Sequence, residues 1–200
     1  RFLFGGVYPK ATIFRYDSEK KWDPNNSKTP NPLVVEINEP DQERVKKIIA
    51  EANGEKVWVL SHSDYSENKS FLLSLVDFNK FMSSSINKWS MEYASNINIG
   101  LQRPKELLVA ITLKDNTSEI TNIKSGKTLR FNSSIEALSE SPYCSNESCF
   151  TFISSNSKLL VIDHHMGMHE ALTLSKPIIK ITVSNNHLYV VTKANVYKYI

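Results

Sequence analysis

Short apolar runs separated by polar clusters make up most of this chain. The runs are four to eight residues long, rich in Val, Ile, Leu, Phe and Tyr, and bounded by Ser, Asn, Asp and Lys, which is the pattern of β-strands. Ten runs form five successive pairs, each predicted to be a hairpin: 1–7 with 11–16, 56–61 with 71–78, 106–113 with 119–123, 149–154 with 158–162, and 187–192 with 195–199. The first strands of these pairs begin 55, 50, 43 and 38 residues apart, so the sequence predicts a repeated hairpin unit of about 40 residues.

Two polar-to-glycine segments repeat after the inner strand of consecutive hairpins. Asn122 is followed four residues later by Gly126, and Asp163 is followed four residues later by Gly167. The two segments lie 41 residues apart. A tight strand-ending turn needs a positive φ angle, which glycine adopts at little cost. The recurrence therefore supports the repeated unit.

Three segments compete with this all-strand interpretation. Residues 41–52 begin with acidic side chains and are followed by Gly54, as in one or two turns of an amphipathic helix. Within the repeat frame, however, residues 45–50 fit a strand equally well. Residues 77–90 and 134–139 are shorter and weaker helix candidates.

Successive hairpins at this period predict an all-β fold, a β-propeller with four to five blades. A single blade buries little apolar surface, so blades become stable by stacking on one another. The predicted domain covers residues 1–200, either as one propeller-like domain or as a fragment of a larger propeller. The chain opens with Arg1 in the middle of a strand-like run, which favours a fragment or a processed chain.

The segment 177–199 resembles a repeat of the regulator-of-chromosome-condensation type. Ile178, Ile181, Ser184 and His187 fall on that family's spacing, and two strands follow them. The segment departs from the family at its glycines, one of which is Ser184 here. The resemblance implies a propeller that binds other proteins, with guanine-nucleotide exchange on a small GTPase as one family activity.

Other propeller families resemble different parts of the chain. Gly5 and Gly6, followed by Tyr16 and Trp22, are similar to the kelch signature. WD-type and citron-homology propellers share the looser 41-residue recurrence.

Composition narrows the choice of partner. The chain is 40% hydrophobic and 22% charged, with 24 Lys plus Arg against 21 Asp plus Glu and a net charge of +3. This near balance of charges does not favour nucleic acid or an anionic membrane as the binding partner. No run of 18 apolar residues exists, so a transmembrane helix is not expected. We therefore expect another protein as partner, with no nucleic acid, no membrane insertion and no cofactor, docking on the long polar loops 24–31 and 61–70.

The segment with the most chemical character is Asp163-His164-His165, with His169 four residues later. It resembles the Asp-His-His motif of a phosphoesterase family, in which a strand delivers ligands to two metal ions. That chemistry also needs an earlier Asp-rich segment, which His62-Ser63-Asp64 only approximates. The sequence therefore predicts a structural turn and no enzyme, with a divalent-metal hydrolase built on these four residues as the alternative.

His187 and the three tryptophans have simpler interpretations. His187 is expected to hydrogen-bond the backbone of its own blade, because no nucleophile or carboxylate accompanies it at a fixed spacing. Trp22, Trp58 and Trp89 lie in or near strands, where large aromatic side chains pack between blades.

The cysteines and glycosylation motifs bear on the compartment. Cys144 and Cys149 could form a disulfide in an oxidising compartment or remain two thiols. Five Asn-x-Ser/Thr motifs begin at Asn25, Asn68, Asn116, Asn132 and Asn146, where composition predicts about three. A cytoplasmic or nuclear protein is favoured, and a glycosylated extracellular propeller of the receptor or adhesin type is a further alternative.

Overall fold

The computed structural model describes residues 2–7, 11–17, 33–37, 42, 44–51, 53–63, 69–145 and 148–199. These residues form 19 strands in five antiparallel sheets, and none of them is helical. Consistently, the described residues include no helix that is long and apolar enough to cross a membrane. The chain divides into two compact units, Arg1–Met91 and Glu92–Ile200.

The first unit contains two sheets. The three-stranded sheet has the order β1-β2-β3 and the four-stranded sheet the order β4-β5-β6-β7. The strands are β1 Phe2–Val7, β2 Thr12–Asp17, β3 Leu33–Glu36, β4 Arg44–Ala50, β5 Lys56–Ser63, β6 Ser70–Asp77 and β7 Met82–Ser90.

The second unit contains three sheets, with the orders β8-β9-β10-β11, β12-β14-β15-β16 and β17-β18-β19, and β13 pairs with β14. The first of them is built from β8 Ala94–Arg103, β9 Glu106–Leu113, β10 Ser118–Asn122 and β11 Thr128–Phe131. The others are built from β12 Ala137–Leu138, β13 Tyr143–Ser145, β14 Ser148–Ser155, β15 Lys158–Asp163, β16 Met168–Thr173, β17 Ile178–Ser184, β18 His187–Thr192 and β19 Val196–Tyr199.

All five predicted hairpins are confirmed as antiparallel pairs. They correspond to β1–β2, β5–β6, β9–β10, β14–β15 and β18–β19. The sequence period located them because each strand is apolar enough to be buried, while the intervening turns carry polar residues. The open choice at residues 41–52 is resolved in favour of a strand, because β4 pairs with β5 along its length. Residues 77–90 and 134–139 contain no helix either.

Within each unit, neighbouring sheets bury their apolar side chains against one another. In the first unit the core lies between the two sheets and consists of Ala11, Ile13, Val35, Ile37, Val57, Val59, Leu72, Val76 and Phe78. In the second unit one layer joins the β8–β11 sheet to the β14–β16 strands and a second layer joins these strands to the β17–β19 sheet. Stacking of this kind is what blades of a repeat fold need, since one sheet has a hydrophobic face that it cannot bury alone.

A buried glutamine links strands of the first unit. Gln42 accepts a hydrogen bond from the Ser61 hydroxyl at 2.9 Å, and its amide lies 3.4 Å from the Ser70 hydroxyl. The backbone carbonyl of Gln42 accepts the backbone N–H of Ala11 at 3.1 Å. Gln42 therefore connects the ends of β5 and β6 to the segment that leads into β2, and a buried amide is stable there because its groups are paired.

Candidate functional site

One kind of turn recurs at the ends of β6, β10 and β15. In each, the last polar residue of the strand accepts backbone N–H groups of the turn that follows, which satisfies donors that the sheet leaves unpaired. The bonds run from Asn79 and Lys80 to Asp77 (3.0 and 3.3 Å), from Lys124 and Ser125 to Asn122 (both 2.9 Å), and from His165 and Gly167 to Asp163 (both 2.8 Å). The sequence predicted the second and third copies. It missed the first, because Phe81 stands where the second has Gly126.

The positive φ angle of these turns is not always supplied by glycine. Gly126 has φ 70°, as predicted. In the third copy, however, the positive angle of 70° belongs to Met166, and the prediction for Gly167 is wrong. Gly167 serves a different purpose: a Cβ atom there would lie 2.6 Å from the Asp163 carboxylate, so a side chain would displace the carboxylate that accepts the Gly167 N–H.

The β15–β16 turn is fixed by a buried glutamine of the neighbouring sheet. The amide nitrogen of Gln102, a fully buried residue of β8, donates to the Asp163 carbonyl at 2.6 Å and lies 3.4 Å from the Met166 sulfur. The side-chain carbonyl of Gln102 accepts a hydrogen bond from Asn122 at 2.6 Å. Gln102 therefore joins the second and third turns in one polar network, and the sequence offered no signal for it.

The four residues of the alternative metal site lie close in sequence but do not converge. The rings of His164 and His165 are tilted by 45° with centroids 3.8 Å apart, and His169 is exposed on β16, paired with Val161. Among the described residues, no group of three or more His, Cys, Asp or Glu side chains could hold a metal ion. Asp64, part of the companion segment, lies outside the described residues.

The Asp163 carboxylate is stabilised in its charged form. Partial burial acts to raise its pKa, but this is outweighed by the backbone N–H groups of Gly167 and His165 and by the neighbouring histidines, so the pKa lies below its usual value. A carboxylate engaged in this way holds the backbone of its own turn, which supports the structural interpretation.

The β6–β7 turn exposes apolar side chains instead of burying them. Phe81 has φ 51° and is 62% exposed, and Met82 beside it is 45% exposed. A positive φ angle is uncommon for a bulky side chain. Phe81 is thus an aromatic residue with a strained backbone, and no contact within the described residues explains why it stands there.

A shallow cleft of about 220 Å³ lies beside β10 and β11. It is lined by Leu113, Thr117, Ser118, Glu119, Arg130, Phe131 and Asn132. The Glu119 carboxylate lies 3.2 Å from the Arg130 guanidinium and 3.4 Å from the Tyr93 hydroxyl. Desolvation, followed by the Glu119 charge and hydrogen bond, raises the pKa of Tyr93 above its usual value.

The remaining predicted residues fall partly outside the described part of the chain. The His187 ring lies 2.7 Å from the Asn185 carbonyl and so contacts the backbone of its own sheet, as predicted. Trp58 is buried in β5 and Trp89 is half-buried in β7, whereas Trp22 lies outside the described residues.

The prediction that loops 24–31 and 61–70 bind a partner needs revision. Residues 24–31 and 64–68 lie outside the described residues. The ends of the second loop are not loop at all, because Ser61 and Ser63 belong to β5 and Ser70 begins β6. All three serines are buried, since the β5–β6 pairing extends further than the polar sequence indicated.

Cys144 and Cys149 are joined by a disulfide bond. They are direct cross-strand partners in the β13–β14 hairpin. The structure thus selects the bonded form of the two states that the sequence left open.

Comparison with known proteins bears on the fold. No protein-family model matches the chain, and no curated protein matches its sequence. Solved structures do match: Sqt1 of Saccharomyces cerevisiae (TM-score 0.53, 13% identity), U3-55K (0.57, 14%) and a chain of the Mitotic Checkpoint Complex (0.58, 10%). These matches cover 96%, 99% and 98% of this chain, and they are WD40-type β-propellers. The chain has a β-propeller fold.

The five sheets are therefore propeller blades, and the recurring turn joins two strands of a blade. The chain spans 53% of Sqt1, 57% of U3-55K and 60% of the Mitotic Checkpoint Complex chain. The regulator-of-chromosome-condensation resemblance of residues 177–199 stays a prediction, as does the assignment of residues 1–200 to one propeller domain.

Proposed function

We propose that this propeller chain is a protein-interaction module and that the β6–β7 turn contacts its partner. The observation that carries the proposal is Phe81, an aromatic side chain that is 62% exposed on a backbone with φ 51°. Backbone strain of this kind collects at functional sites, where a role outside the fold maintains it. Aromatic residues and Met are also enriched at protein interfaces.

The surroundings of Phe81 fit an anchor residue. Asp77 holds the turn through Asn79 and Lys80, so the aromatic ring is presented from a fixed backbone. Met82 continues the apolar surface and Lys80 is exposed beside it. A preorganised anchor loses little conformational entropy on binding, and we expect its partner to offer an apolar pocket on a protein surface.

Two variants and a crosslinker test this proposal. Phe81→Asn keeps a residue that tolerates a positive φ angle, so the fold should survive while partner recovery from cell extract falls at least tenfold, as for a binding hot spot. Val196→Ser is the matched control, because Val196 is equally exposed (67%) but lies in β19. A photo-crosslinking phenylalanine analogue at position 81 should capture a discrete partner that the same analogue at position 196 does not. Equal recovery by Phe81→Asn and the unmodified protein would refute the proposal.

Finer proposals remain for the partner and the chemistry. Regulation of a small GTPase, which the regulator-of-chromosome-condensation resemblance implies, predicts that the chain accelerates release of labelled guanine nucleotide. The divalent-metal hydrolase at Asp163, His164, His165 and His169 predicts stoichiometric manganese or zinc in protein purified without chelator. Loss of that metal in Asp163→Ala would favour the enzyme, and a folded, metal-free protein would exclude it.

The compartment also remains a proposal. A cytoplasmic or nuclear location was favoured from the sequence, with secretion or the cell surface as the alternative. The Cys144–Cys149 bond supports the alternative, because disulfides persist mainly in oxidising compartments.

A further inference from the structure

Two Asn-x-Ser motifs of the second unit lie at the same end of one blade. Asn116 stands in the turn between β9 and β10, and Asn132 directly follows β11. Ser118 pairs with both Thr112 and Phe131, so the start of β10 is flanked by the ends of its two neighbours. The register therefore brings Asn116 and Asn132 to one edge of the blade, although 16 positions separate them in the sequence.

Both asparagine side chains are exposed and are not used by the fold. Neither amide makes a side-chain hydrogen bond in the part of the chain that the structure describes. The β9–β10 turn is held by Asp115, which accepts the Thr117 N–H at 2.9 Å, and by the backbone bond from Asn116 to Leu113. The φ angle of 64° at Asn116 suits Asn, Asp or Gly, so the fold alone does not select Asn.

The disulfide is a second, independent observation. Cys144 and Cys149 are bonded, and no free cysteine remains among the described residues. A protein whose described cysteines are all oxidised is typical of the secretory route. N-linked glycans are attached on the same route, at exposed Asn-x-Ser/Thr motifs.

We propose that Asn116 and Asn132 carry N-linked glycans and that the chain matures in an oxidising compartment. The co-reactant is a lipid-linked oligosaccharide pyrophosphate. The amide nitrogen of each Asn forms a bond to the first sugar carbon, the bond from that carbon to the pyrophosphate breaks, and the lipid pyrophosphate and the amide proton leave. The step involves no oxidation or reduction.

The position of the glycans has a consequence for binding. Asn132 lines the cleft beside β10 and β11, and the Asn116 turn adjoins Thr117 in the same cleft wall. Two glycans at this edge would restrict the access of a protein partner to the cleft. The β6–β7 turn belongs to the other unit and carries neither motif.

The first experiment uses native protein from the cells that make it. Peptide N-glycosidase treatment in heavy-oxygen water converts each glycosylated Asn to Asp and labels it, so peptide mass spectrometry should find labelled Asp at positions 116 and 132. Alkylation before and after reduction should show that Cys144 and Cys149 react only after reduction. Unlabelled Asn at both positions would overturn the glycan assignment, and cysteines that react before reduction would overturn the oxidising compartment.

Matched variants of the full-length gene in the same cells complete the test. Asn116→Asp keeps a residue suited to the positive φ angle and should remove one glycan. Ser134→Ala destroys the Asn132 motif and should remove the other, whereas Ser134→Thr preserves the motif and should keep it. Gel mobility equal to that of the unmodified protein in both Asn116→Asp and Ser134→Ala would refute the two positions.

Discussion

The β6–β7 and β15–β16 turns share a polar frame and differ in what they do with one apolar side chain. In both, the carboxylate of the last strand residue accepts two backbone N–H groups, and a residue other than glycine takes the positive φ angle. Met166 is 6% exposed, with its sulfur 3.4 Å from the Gln102 amide nitrogen, whereas Phe81 is 62% exposed.

The difference distinguishes a packing role for Met166 from the binding role that we propose for Phe81. The backbone strain at Met166 is accompanied by burial of its flexible apolar side chain in the core of the second unit. Phe81 bears the same strain without burial, so the contacts within the described residues do not account for it. That contrast is the reason to propose partner binding for the β6–β7 turn and a structural role for the Asp163 turn.

The largest loss of stability should come from truncation of Met166, and truncation of Phe81 should have little effect. We expect Met166→Ala to lower the free energy of unfolding by about 2–4 kcal/mol, since a buried Met is removed and a cavity remains. Phe81→Ala retains the same backbone strain and removes an exposed ring, so its effect should stay within about 0.5 kcal/mol. Urea unfolding of both variants measures the pair, and equal losses would remove the contrast between the turns.

Removal of the Gln102 side chain should come next. Gln102→Ala leaves the Asp163 carbonyl and the Asn122 amide without their buried partner, which we expect to cost about 1–3 kcal/mol. Hydrogen exchange should accelerate at residues 163–167 and remain unchanged at residues 77–82, which belong to the other unit. Acceleration at both turns would mean that the variant loosens the whole chain and that the network is not local.

The smallest effect on stability should come from protonation of Asp163 at acid pH. Because the folded chain lowers the pKa of this carboxyl, the ionised form contributes stability at neutral pH. That contribution is lost as the pH falls below about 4, the usual pKa of Asp, and through the lowered folded value. Asp163→Asn should therefore lose stability at pH 7 and show a shallower decline between pH 5 and pH 3 than the unmodified protein. Parallel pH profiles of the two proteins in urea unfolding would contradict this linkage.

Local sequence determined much of the fold. Alternation of apolar and polar residues located the five hairpins, because successive side chains of a strand point to opposite faces of the sheet and at least one face is buried. Turns between the strands need polar side chains and special backbone angles. Spacing alone also found the Asn122 and Asp163 turns. Segment 41–52 stayed open, because its short apolar pattern satisfies a helix and a strand equally well.

Tertiary structure decided what the turns do. Gln102 meets Asp163 across 61 positions, and whether Phe81 or Met166 is buried depends on a neighbouring blade that no local pattern specifies. The edge shared by Asn116 and Asn132 likewise follows from strand register. The sequence by itself determined a chain of stacked hairpins, since periodicity is a local property. Only packing between distant segments decided which side chains are left for partners, because burial depends on what the rest of the chain brings alongside.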